Sequence, residues 1–457
     1  MAAPSEIGEG TRLSGSMPTL DDYLALGGGD GLAVAHEMGP EAVIDEVRRA
    51  GLRGRGGAGF PTAVKWEAVS RDACPTKYLV CNAAEGEPGT FKDRFLMRRN
   101  PYQLIEGIAI AAFAVGAQRA YIGTKSVFRR ELDRLRKAID EMQDADLLGP
   151  IPIEIVEGPD AYTFGEEKAL LEVIEGNDPS SRVLLPFEVG LFATIDSPNP
   201  TVVNNVETLS NVGHIVRNGA PWFRLLGTDT SPGTMLFTVS GDVDVPGVYE
   251  LPLGTPLRVL VQDIAGGPRG GRRIKAIMPG ASNMPLRPEH LDTPMDFDSL
   301  ARIGSGLGSG GFVVYDDSAC IVTVLLEFSR FLYVESCGVC LACKLCGENI
   351  VDALARIEGG KADAADLLRI DTQALEVTGG RRCALPLAHA TLVQGALRAF
   401  LPEFERHVGR TCPLPRKVLI PRFLDYDEKQ GRFTYDEHYR LKQPNWAYLD
   451  EPAAAGV

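Results

Sequence analysis

Residues 51–66 read GLRGRGGAGFPTAVKW, a segment in which five of the first nine residues are glycine. Glycine adopts positive φ angles at little steric cost and lets a ligand approach the backbone closely. Successive exposed N–H groups in such a loop form a concave anion site, and Arg53, Arg55 and Lys65 add positive charge. Phe60 offers an aromatic stacking face. The segment therefore predicts a loop that holds a flat, negatively charged ligand, such as a dinucleotide or a flavin phosphate.

A glycine-rich segment of this kind is also typical of an ordinary surface turn. The segment does not match the dinucleotide-binding fingerprint G-x-G-x-x-G in its usual setting, because no clear apolar strand precedes it and no acidic residue is evident about 20 residues later. It is not a P-loop either, since G-x-x-x-x-G-K-[ST] is absent. The ligand must be identified from the rest of the chain.

The size and charge of the chain exclude several classes of protein. A length of 457 residues predicts roughly two to four domains. The net charge of −14 disfavours nucleic acid and anionic membrane surfaces as partners. The longest apolar run, at 108–117, is too short to cross a bilayer, and the N-terminal residues lack the apolar core of a signal peptide. We therefore expect a cytoplasmic protein without direct membrane insertion, either free or on the cytoplasmic side of a membrane complex.

The first half of the chain alternates predicted strands and helices. Strands are predicted at 77–82, 119–123 and 151–156, and helices between them at 101–116 and 128–142. This alternation is typical of an open α/β sheet. Two further helices are predicted before the sheet, at 19–26 and 40–49.

Three polar segments are candidates to complete a binding site, and each also has a purely structural explanation. The loop 83–94 directly follows a predicted strand, where α/β proteins place ligand contacts, but it is also typical of a solvated turn. Segment 162–176 has two adjacent carboxylates in the first turn of a helix, where the helix dipole favours negative charge. Segment 202–209 has two adjacent asparagines, which suit the edge of a heterocycle and are equally common as helix caps.

The second half of the chain has a different pattern of apolar residues and turns. Short strands and turns predict a small α+β module of about 80 residues, and apolar residues at helical spacing then predict a four-helix bundle. The C-terminal residues are rich in proline, charge and aromatic side chains, which indicates an arm laid on a surface or a partner. The predicted organisation is a disordered N-terminus (1–18), an α/β domain (19–233), the α+β module (234–317), the helical bundle (318–409) and an extended C-terminal arm (410–457).

Cysteine spacing predicts a metal centre in the bundle. Cys337, Cys340 and Cys343 form C-x2-C-x2-C, which supplies three of the four thiolates of an iron–sulfur cluster from one loop. The fourth ligand is either Cys346, which would fall inside the next helix, or Cys383 in a glycine-rich turn. A structural zinc site usually has two separated pairs of cysteines, so this spacing favours iron and sulfur over zinc. The scattered cysteines are expected to be buried or inert thiols: Cys74, Cys81, Cys320 and Cys412.

Six motifs in one order resemble the family of NADH- and FMN-binding flavoprotein subunits of respiratory complex I. The same module recurs in the diaphorase subunits of NAD-linked formate dehydrogenases and hydrogenases, and in electron-bifurcating enzymes. The resemblance covers about residues 20–412. It implies a Rossmann-like α/β FMN-binding domain, a β-grasp-like (SLBB-type) module and a C-terminal four-helix bundle with an iron–sulfur site. The motifs are GLRGRGGAGFPTAVKW, CNAAEGEPGTFKDR, GEEKALLEVIEG, VNNVETL, GSGLGSGGFVVYDDSAC and ESCGVCLACK with RRCAL.

The resemblance also implies cofactors and the residues that hold them. The expected flavin contacts are Gly54, Gly56, Lys65, Asn82, Glu85, Gly165, Glu166, Val203, Asn204, Asn205 and Thr208. The expected NADH contacts are Gly57, Phe60, Glu87, Glu167 and Phe187. The expected ligands of a [4Fe–4S] cluster are Cys337, Cys340, Cys343 and Cys383.

The implied activity is that of an NADH:acceptor oxidoreductase, the NADH dehydrogenase or diaphorase subunit of a larger enzyme. A hydride passes between NAD(H) and FMN, and single electrons then pass to the [4Fe–4S] cluster and to a partner subunit. No side chain is needed for proton transfer, so no catalytic residue is predicted. The implied partners are a small thioredoxin-like [2Fe–2S] subunit and a further redox subunit of complex I, formate dehydrogenase or hydrogenase type.

Two departures from the family pattern indicate a divergent paralogue. Ala84 replaces an aspartate that is usual at the flavin site, and Lys168 replaces the threonine of the GEETAL motif. These changes support an alternative interpretation, in which a non-catalytic electron-transfer or scaffold subunit keeps the cluster but has lost competent flavin or NADH binding.

Overall fold

A computed structural model describes residues 12–377, 382–414 and 416–449. The alternation of strands and helices predicted an open α/β sheet, and the α/β domain is built on a parallel sheet in the order β3-β2-β1-β4. Strand β4 was not predicted. The strands are short, apolar and mostly buried, because helices cover both faces of the sheet. They are β1 (Tyr78–Ala83), β2 (Arg119–Lys125), β3 (Ile153–Gly158) and β4 (Thr201–Asn205).

The predicted helices of this domain are confirmed, and one further helix precedes the glycine-rich loop. That helix, α2, begins after Gly29, which has a φ of 84°. The run of glycines before it predicted only the end of α1. The helices are α1 (Leu20–Ala25), α2 (Asp30–Met38), α3 (Pro40–Ala50), α4 (Thr62–Ser70), α5 (Lys92–Arg99), α6 (Pro101–Val115), α7 (Arg129–Asp144), α8 (Glu167–Ile174), α9 (Val206–Ser210), α10 (Val212–Asn218) and α11 (Ala220–Phe223).

The small module has a mixed sheet in the order β6-β5-β8-β7. Strands β5 and β8 are parallel, and the outer pairs are antiparallel. A separate apolar core fills the module, which fits the expected β-grasp-like fold. Its elements are β5 (Thr234–Gly241), β6 (Gly247–Pro252), β7 (Ile274–Met278), α12 (Phe297–Arg302) and β8 (Gly311–Asp316).

The bundle has its own core as well. In the part of 318–409 that the structure describes, its helices are the predicted four: α13 (Ile321–Glu335), α14 (Leu341–Glu358), α15 (Ala364–Glu376) and α16 (Leu385–His407). Across the described ranges of the chain, none of the helices combines the length and the apolar character needed to cross a membrane.

The C-terminal arm lies on the α/β domain, but it is not simply extended. It forms an antiparallel hairpin of β9 (Phe423–Asp427) and β10 (Arg432–Tyr435). Phe423 and Phe433 stack on each other and pack around Phe91 of the α/β domain. Strands this short show little periodicity, so the hairpin escaped the sequence analysis.

The N-terminal residues also require a correction. Residues 12–18 are packed against the protein, although the sequence placed them in a disordered N-terminus. Leu13 is buried, and its backbone N–H donates a hydrogen bond to Glu250 at 2.9 Å. The Arg12 guanidinium lies 3.8 Å from the centre of the Trp222 ring. Contacts so distant in sequence cannot be inferred from local composition. The same prediction for residues 1–11 lies outside the described residues.

Helix α6 crosses α9 at a glycine, and this crossing is open to a test. A side chain at Gly107 would overlap the carbonyl oxygen of Leu209. We expect Gly107→Ala to lower the free energy of unfolding by about 1–3 kcal/mol, because overpacking forces the helices apart. Chemical unfolding measures the change.

Gly347 provides the matched control, since it also lies inside a helix. An added Cβ there would meet Tyr333 Cβ at an ordinary 3.5 Å. Gly347→Ala should leave stability unchanged or raise it by roughly 0.5–1 kcal/mol, because alanine favours helix. A Gly107→Ala protein as stable as the wild type would contradict the close crossing.

Candidate functional site

The glycine-rich loop folds back on itself at the carboxyl edge of the sheet. The Gly54 N–H donates to the Phe60 carbonyl at 2.8 Å, and the Thr62 N–H donates to the Leu52 carbonyl at 2.9 Å. The Arg55 N–H donates to Thr208 Oγ at 2.8 Å, which fixes the loop to the start of α9. These bonds set the loop beside the ends of β1 and β4, where ligands bind in open α/β sheets.

The two arginines of the loop have internal roles. The Arg53 guanidinium pairs with Asp298 at 3.0 Å, and its Nε donates to the Gly59 carbonyl at 2.7 Å. Arg55 is completely buried and donates to the carbonyl of Pro232 at 2.9 Å. Burial lowers the pKa of Arg55 to about 10. Arg55 also donates to the carbonyl of Thr234, the first residue of β5, at 3.2 Å. Both charges therefore tie the loop to the small module, although the sequence suggested that they face an anion.

The predicted residues at the end of β4 lie against the loop. A Cβ at Gly56 would sit only 3.2 Å from Asn205 Cβ, so the small residue permits the close approach. Asn205 caps α9 by accepting from the Glu207 N–H at 3.0 Å, and its amide donates to Asp93 at 2.6 Å. The buried Asn204 accepts a bond from Trp66 Nε1 at 2.7 Å. The capping explanation for Asn205 is thus correct, and the residue still lies at the predicted site.

Lys65 is the cation that remains partly exposed at this edge. Its ammonium pairs with Glu167 and lies 3.5 Å from the carbonyl of Val203. It also lies 5.9 Å from the centre of the Phe60 ring. Lys65 therefore connects α4, β4 and the first turn of α8.

Two of the predicted aromatic residues are exposed, and one of them, Phe60, lies on the glycine-rich loop. Phe60 is 47% exposed and Phe187, in the loop before β4, is 43% exposed. Exposed rings of this size offer apolar faces to a planar ligand.

The loop that precedes α8 meets the end of β1. The Asn82 amide donates to the Gly165 carbonyl at 2.7 Å, and a Cβ at Gly165 would be 3.2 Å from the Ala84 carbonyl. Glu166 caps α8 by accepting from the N–H groups of Lys168 and Ala169, both at 3.0 Å. Burial raises the pKa of Glu166. The structural explanation of this carboxylate is correct, and it stands beside the other predicted residues.

Glu85 and Glu87 are held by different partners. Glu85 caps α5 by accepting from the Asp93 N–H at 2.9 Å. Burial, together with the charge of Asp93, raises the pKa of Glu85 to about 7. Glu87 accepts from Tyr162 Oη at 2.6 Å and from the Ala281 N–H at 2.7 Å, so it joins the α/β domain to the small module.

A buried ion pair beneath the site was missed by the sequence analysis. Lys92 Nζ lies 2.9 Å from Glu207 and 2.7 Å from Asp93, and all three side chains are buried. Glu207 also accepts from the Leu236 N–H at 2.8 Å. Lys92 and Glu207 both stand in recognised motifs, but charged residues usually face solvent, so nothing in the sequence signalled a buried pair.

A cavity of about 80 Å³ lies behind the Glu85–Glu87 loop. The backbone of the C-terminal arm forms one wall, and Arg94 fixes it by donating to the carbonyls of Phe423 at 2.9 Å and Leu424 at 2.8 Å. The Gly89 N–H donates to the Pro421 carbonyl at 2.8 Å. The arm is therefore part of the site.

The cysteines of the bundle form a second centre. Cys337 and Cys340 lie in the loop after α13, Cys343 in the first turn of α14, and Cys383 just before α16. Burial raises the pKa of Cys343 to about 12, and the charges of Cys383, Cys340 and Cys337 add to the effect. All four thiols are free, and they are close enough to feel one another's charge. A converging set of soft thiolate donors fits an iron–sulfur cluster.

Cys346 lies one turn beyond Cys343 on α14. Burial raises its pKa, and the neighbouring charge that contributes is Glu376 of α15. Its surroundings thus differ from those of the four thiols. The other three cysteines contribute to the pKa of Cys343 and Glu376 to that of Cys346, which favours Cys383 as the fourth member of the set.

Three known protein families match successive parts of the chain. The family described as the Nuo51 FMN-binding domain matches residues 47–214, the SLBB domain matches 236–286, and the NADH-ubiquinone oxidoreductase-F iron-sulfur binding region matches 323–407. The NADH-quinone oxidoreductase F 2 subunit of Rhizobium meliloti is 44% identical over 407 residues, which cover 86% of this chain and 96% of the relative.

Two further relatives come from hydrogenases. NADP-reducing hydrogenase subunit HndC of Solidesulfovibrio fructosivorans is 38% identical over 86% of this chain and 82% of the relative. A crystal structure of an NAD+-reducing [NiFe]-hydrogenase in the air-oxidized state is similar with a TM-score of 0.77 and 36% identity, over 88% of this chain and 68% of that chain.

Glu85 makes the pH dependence of stability testable. Between the ordinary carboxyl pKa and about 7, the folded protein keeps a proton that the unfolded chain has lost. The free energy of unfolding therefore falls as the pH rises through this window. Glu85→Gln keeps an acceptor but removes the titration, so it should flatten that fall by on the order of 2 kcal/mol. Chemical unfolding across the window measures the slope.

Asp133→Asn is the control, because Asp133 is an exposed carboxylate on α7. It should keep the wild-type slope. A Glu85→Gln protein whose stability has the same pH dependence as that of the wild type would show that Glu85 does not titrate in this pH window.

Proposed function

We propose that this chain, which belongs to the family of NADH-oxidising FMN flavoprotein subunits with a [4Fe–4S]-binding region, is the NADH-facing subunit of a larger redox assembly. The chain is an oxidoreductase of the NADH dehydrogenase type, and its cofactors are FMN, a [4Fe–4S] cluster and NAD(H). The comparisons lend no support to the alternative of a non-catalytic scaffold.

The observation that carries the proposal is Ser181, which lies between the two centres. Its Oγ donates to the Arg382 carbonyl at 2.8 Å, next to Cys383. Ser181 also hydrogen-bonds Glu166, a bond that lowers the pKa of that carboxyl against the larger effect of burial. The proposed flavin loop and the proposed cluster ligand are thus neighbours, which supports electron transfer between them.

The residues at the sheet edge are proposed to bind FMN. When bound, FMN accepts a hydride from NADH and releases electrons singly, which suits a one-electron acceptor such as the cluster. The N–H groups of the glycine-rich loop and the ammonium of Lys65 would neutralise the flavin phosphate. The remaining proposed flavin contacts are Asn82, Glu85, Gly165, Glu166, Val203, Asn204, Asn205 and Thr208.

NADH is proposed to enter from the solvent side of the same edge. Phe60 and Phe187 offer exposed aromatic faces. Gly57, also a proposed contact, lies beside Gly308 and Ser309.

Glu87 and Glu167 are the other proposed NADH contacts. Glu167 pairs with Lys65, and Glu87 accepts from Tyr162 and from the Ala281 N–H. Repulsion between carboxylates and an additional phosphate supports NADH over NADPH as the substrate.

The assembly is proposed to contain further redox subunits. The names of the relatives are those of subunits of quinone oxidoreductases and hydrogenases. We infer that a small thioredoxin-like [2Fe–2S] subunit and one further redox subunit accompany this chain. The cytoplasm, or the cytoplasmic side of a membrane complex, is the proposed location.

Lys65→Met tests the proposed flavin site. The anaerobically purified wild type should show a flavin absorption band and NADH-dependent ferricyanide reduction. Loss of one charge-assisted hydrogen bond should weaken FMN binding by roughly 10- to 100-fold. Flavin retained after gel filtration and ferricyanide reduction measure the effect.

Lys137→Met removes an exposed lysine from α7 and should leave both quantities unchanged. Colourless wild-type protein without ferricyanide reduction would contradict the proposed function. A Lys65→Met protein with normal flavin content would contradict only the role of Lys65.

Cys383→Ser tests the proposed ligands of the cluster. The variant should lose most of its iron and acid-labile sulfide while FMN and NADH oxidation remain, because the flavin contacts lie on other elements. Cys346→Ser, on the same bundle, should keep the wild-type iron content. Iron and sulfide analysis decides between the two cysteines, and loss of the cluster only in Cys346→Ser would reverse the assignment.

A further inference from the structure

Three residues outside both proposed centres meet at one end of the bundle. Cys320 directly precedes α13, His407 ends α16, and Cys412 begins the C-terminal arm. One donor atom from each of the three lies within 4.8 Å of the other two. Cys320 Sγ and His407 Nε2 are 3.3 Å apart. The sequence predicted buried or inert thiols for Cys320 and Cys412, and Cys320 is buried. Nothing in the sequence indicated that the two lie together, because they are far apart along the chain.

The orientation of the imidazole suits a metal ligand. His407 Nδ1 lies 2.7 Å from the Glu403 carbonyl oxygen, to which it donates its hydrogen. This bond leaves the lone pair of Nε2 directed towards Cys320. A backbone carbonyl that fixes the tautomer through the second ring nitrogen is the usual support of a histidine ligand.

The environment of Cys412 also suits ligation. Cys412 Sγ lies 3.4 Å from the Leu414 N–H, which donates to it, and 3.3 Å from the Leu414 carbonyl, which accepts from the thiol. On metal binding the thiol proton is lost, and the N–H bond then supports the thiolate. Cys320 and His407 are buried, whereas Cys412 is half-buried. The open side of the group therefore faces solvent at Cys412, where a water molecule can approach.

We propose that Cys320, His407 and Cys412 bind one Zn²⁺ ion, with water as the fourth ligand. Two thiolates and one imidazole are a soft donor set that Zn²⁺ prefers. Zinc–ligand bonds of about 2.0–2.3 Å in a tetrahedron place neighbouring donor atoms roughly 3.5–3.8 Å apart, which small side-chain shifts reach from the observed group. One ion fits better than a second iron–sulfur cluster, since both [2Fe–2S] and [4Fe–4S] clusters take four protein ligands and this group supplies three.

The ion would anchor the C-terminal arm to the bundle. From Cys412 the arm runs to Arg416, whose guanidinium makes two bonds of 2.6 Å to Asp242 of the small module. It continues to Arg422, which pairs with Asp160 at 2.7 Å, and then to the hairpin beside the cavity. The proposed zinc site thus fixes the beginning of the C-terminal arm. The later part of the arm lines the cavity beside the Glu85–Glu87 loop of the α/β domain.

Metal analysis of the full-length protein, purified anaerobically without chelator, tests the proposal. We expect about one equivalent of zinc per chain in addition to the iron of the cluster. Cys412→Ser should lose at least roughly nine-tenths of the zinc, because a two-ligand site binds weakly, and should keep its iron and flavin. Cys74→Ser, which changes a half-buried thiol elsewhere, should keep all three.

Two measurements separate this site from other sources of zinc. X-ray absorption at the zinc edge should show two sulfur and two lighter ligands, whereas four sulfur ligands would place the metal among Cys337, Cys340, Cys343 and Cys383 and overturn the proposal. Limited proteolysis should cleave the arm faster in Cys412→Ser than in Cys74→Ser. Zinc absent from the wild type, or a Cys320–Cys412 disulfide in freshly isolated protein by mass spectrometry, would also overturn it, whether or not the variant folds.

Discussion

The carboxylate of Glu335 holds three parts of the protein together. It is completely buried at the end of α13, two residues before Cys337. It accepts from the Tyr162 N–H at 2.8 Å and from Lys442 Nζ at 2.8 Å, and Arg422 lies 3.4 Å away. A buried carboxylate is tolerated only when cations and hydrogen bonds replace its water, and loss of one partner costs about 3–5 kcal/mol. The positions of the loop that carries Cys337, of the loop around Tyr162 and of the C-terminal arm therefore all depend on the charge of Glu335.

Asp160 extends this network to the central sheet. It pairs with Arg422 at 2.7 Å and with Lys125, at the end of β2, at 3.0 Å. Although burial raises the pKa of Asp160, the charges of Lys125 and Arg422 outweigh that effect and hold it well below its ordinary value. The loop between Asp160 and Glu167 cannot shift without separating buried charges. A frame of this kind keeps a flavin and its electron acceptor at a fixed separation, which a site built on free loops would not do.

The sequence predicted the architecture well but not the side-chain contacts of the site, and the reasons are physical. Periodicity and apolar runs report which face of an element is buried, so the sheet, the small module and the bundle were all predicted. The same signals say nothing about partners far apart in the chain. Lys92 and Glu207 form an ion pair in the core, and the Arg55 guanidinium donates its hydrogen bonds to backbone carbonyls. Several candidate residues, among them Gly56, Lys65 and Asn205, lie at the carboxyl edge of the sheet, but their role as ligand contacts stays a prediction. Glu85, Glu166 and Asn205 also cap helices, a role that spacing alone left open.

The two departures from the family pattern do not indicate a degraded site. Ala84 is buried in an apolar cluster with Leu170 and Val203, so a small apolar side chain fits the position without leaving an unpaired polar group. Its N–H still lies 3.3 Å from the Asn82 side-chain oxygen, which keeps the strand end in place. Lys168 lies in the first turn of α8, where its charge lowers the pKa of Glu166 against the effect of burial. A lysine at this position adds positive charge beside a site that must hold phosphates, and it compensates for a carboxylate that the fold requires as a cap. Both substitutions are therefore accommodated by the surrounding structure, and neither removes a contact on which the proposed binding of FMN depends.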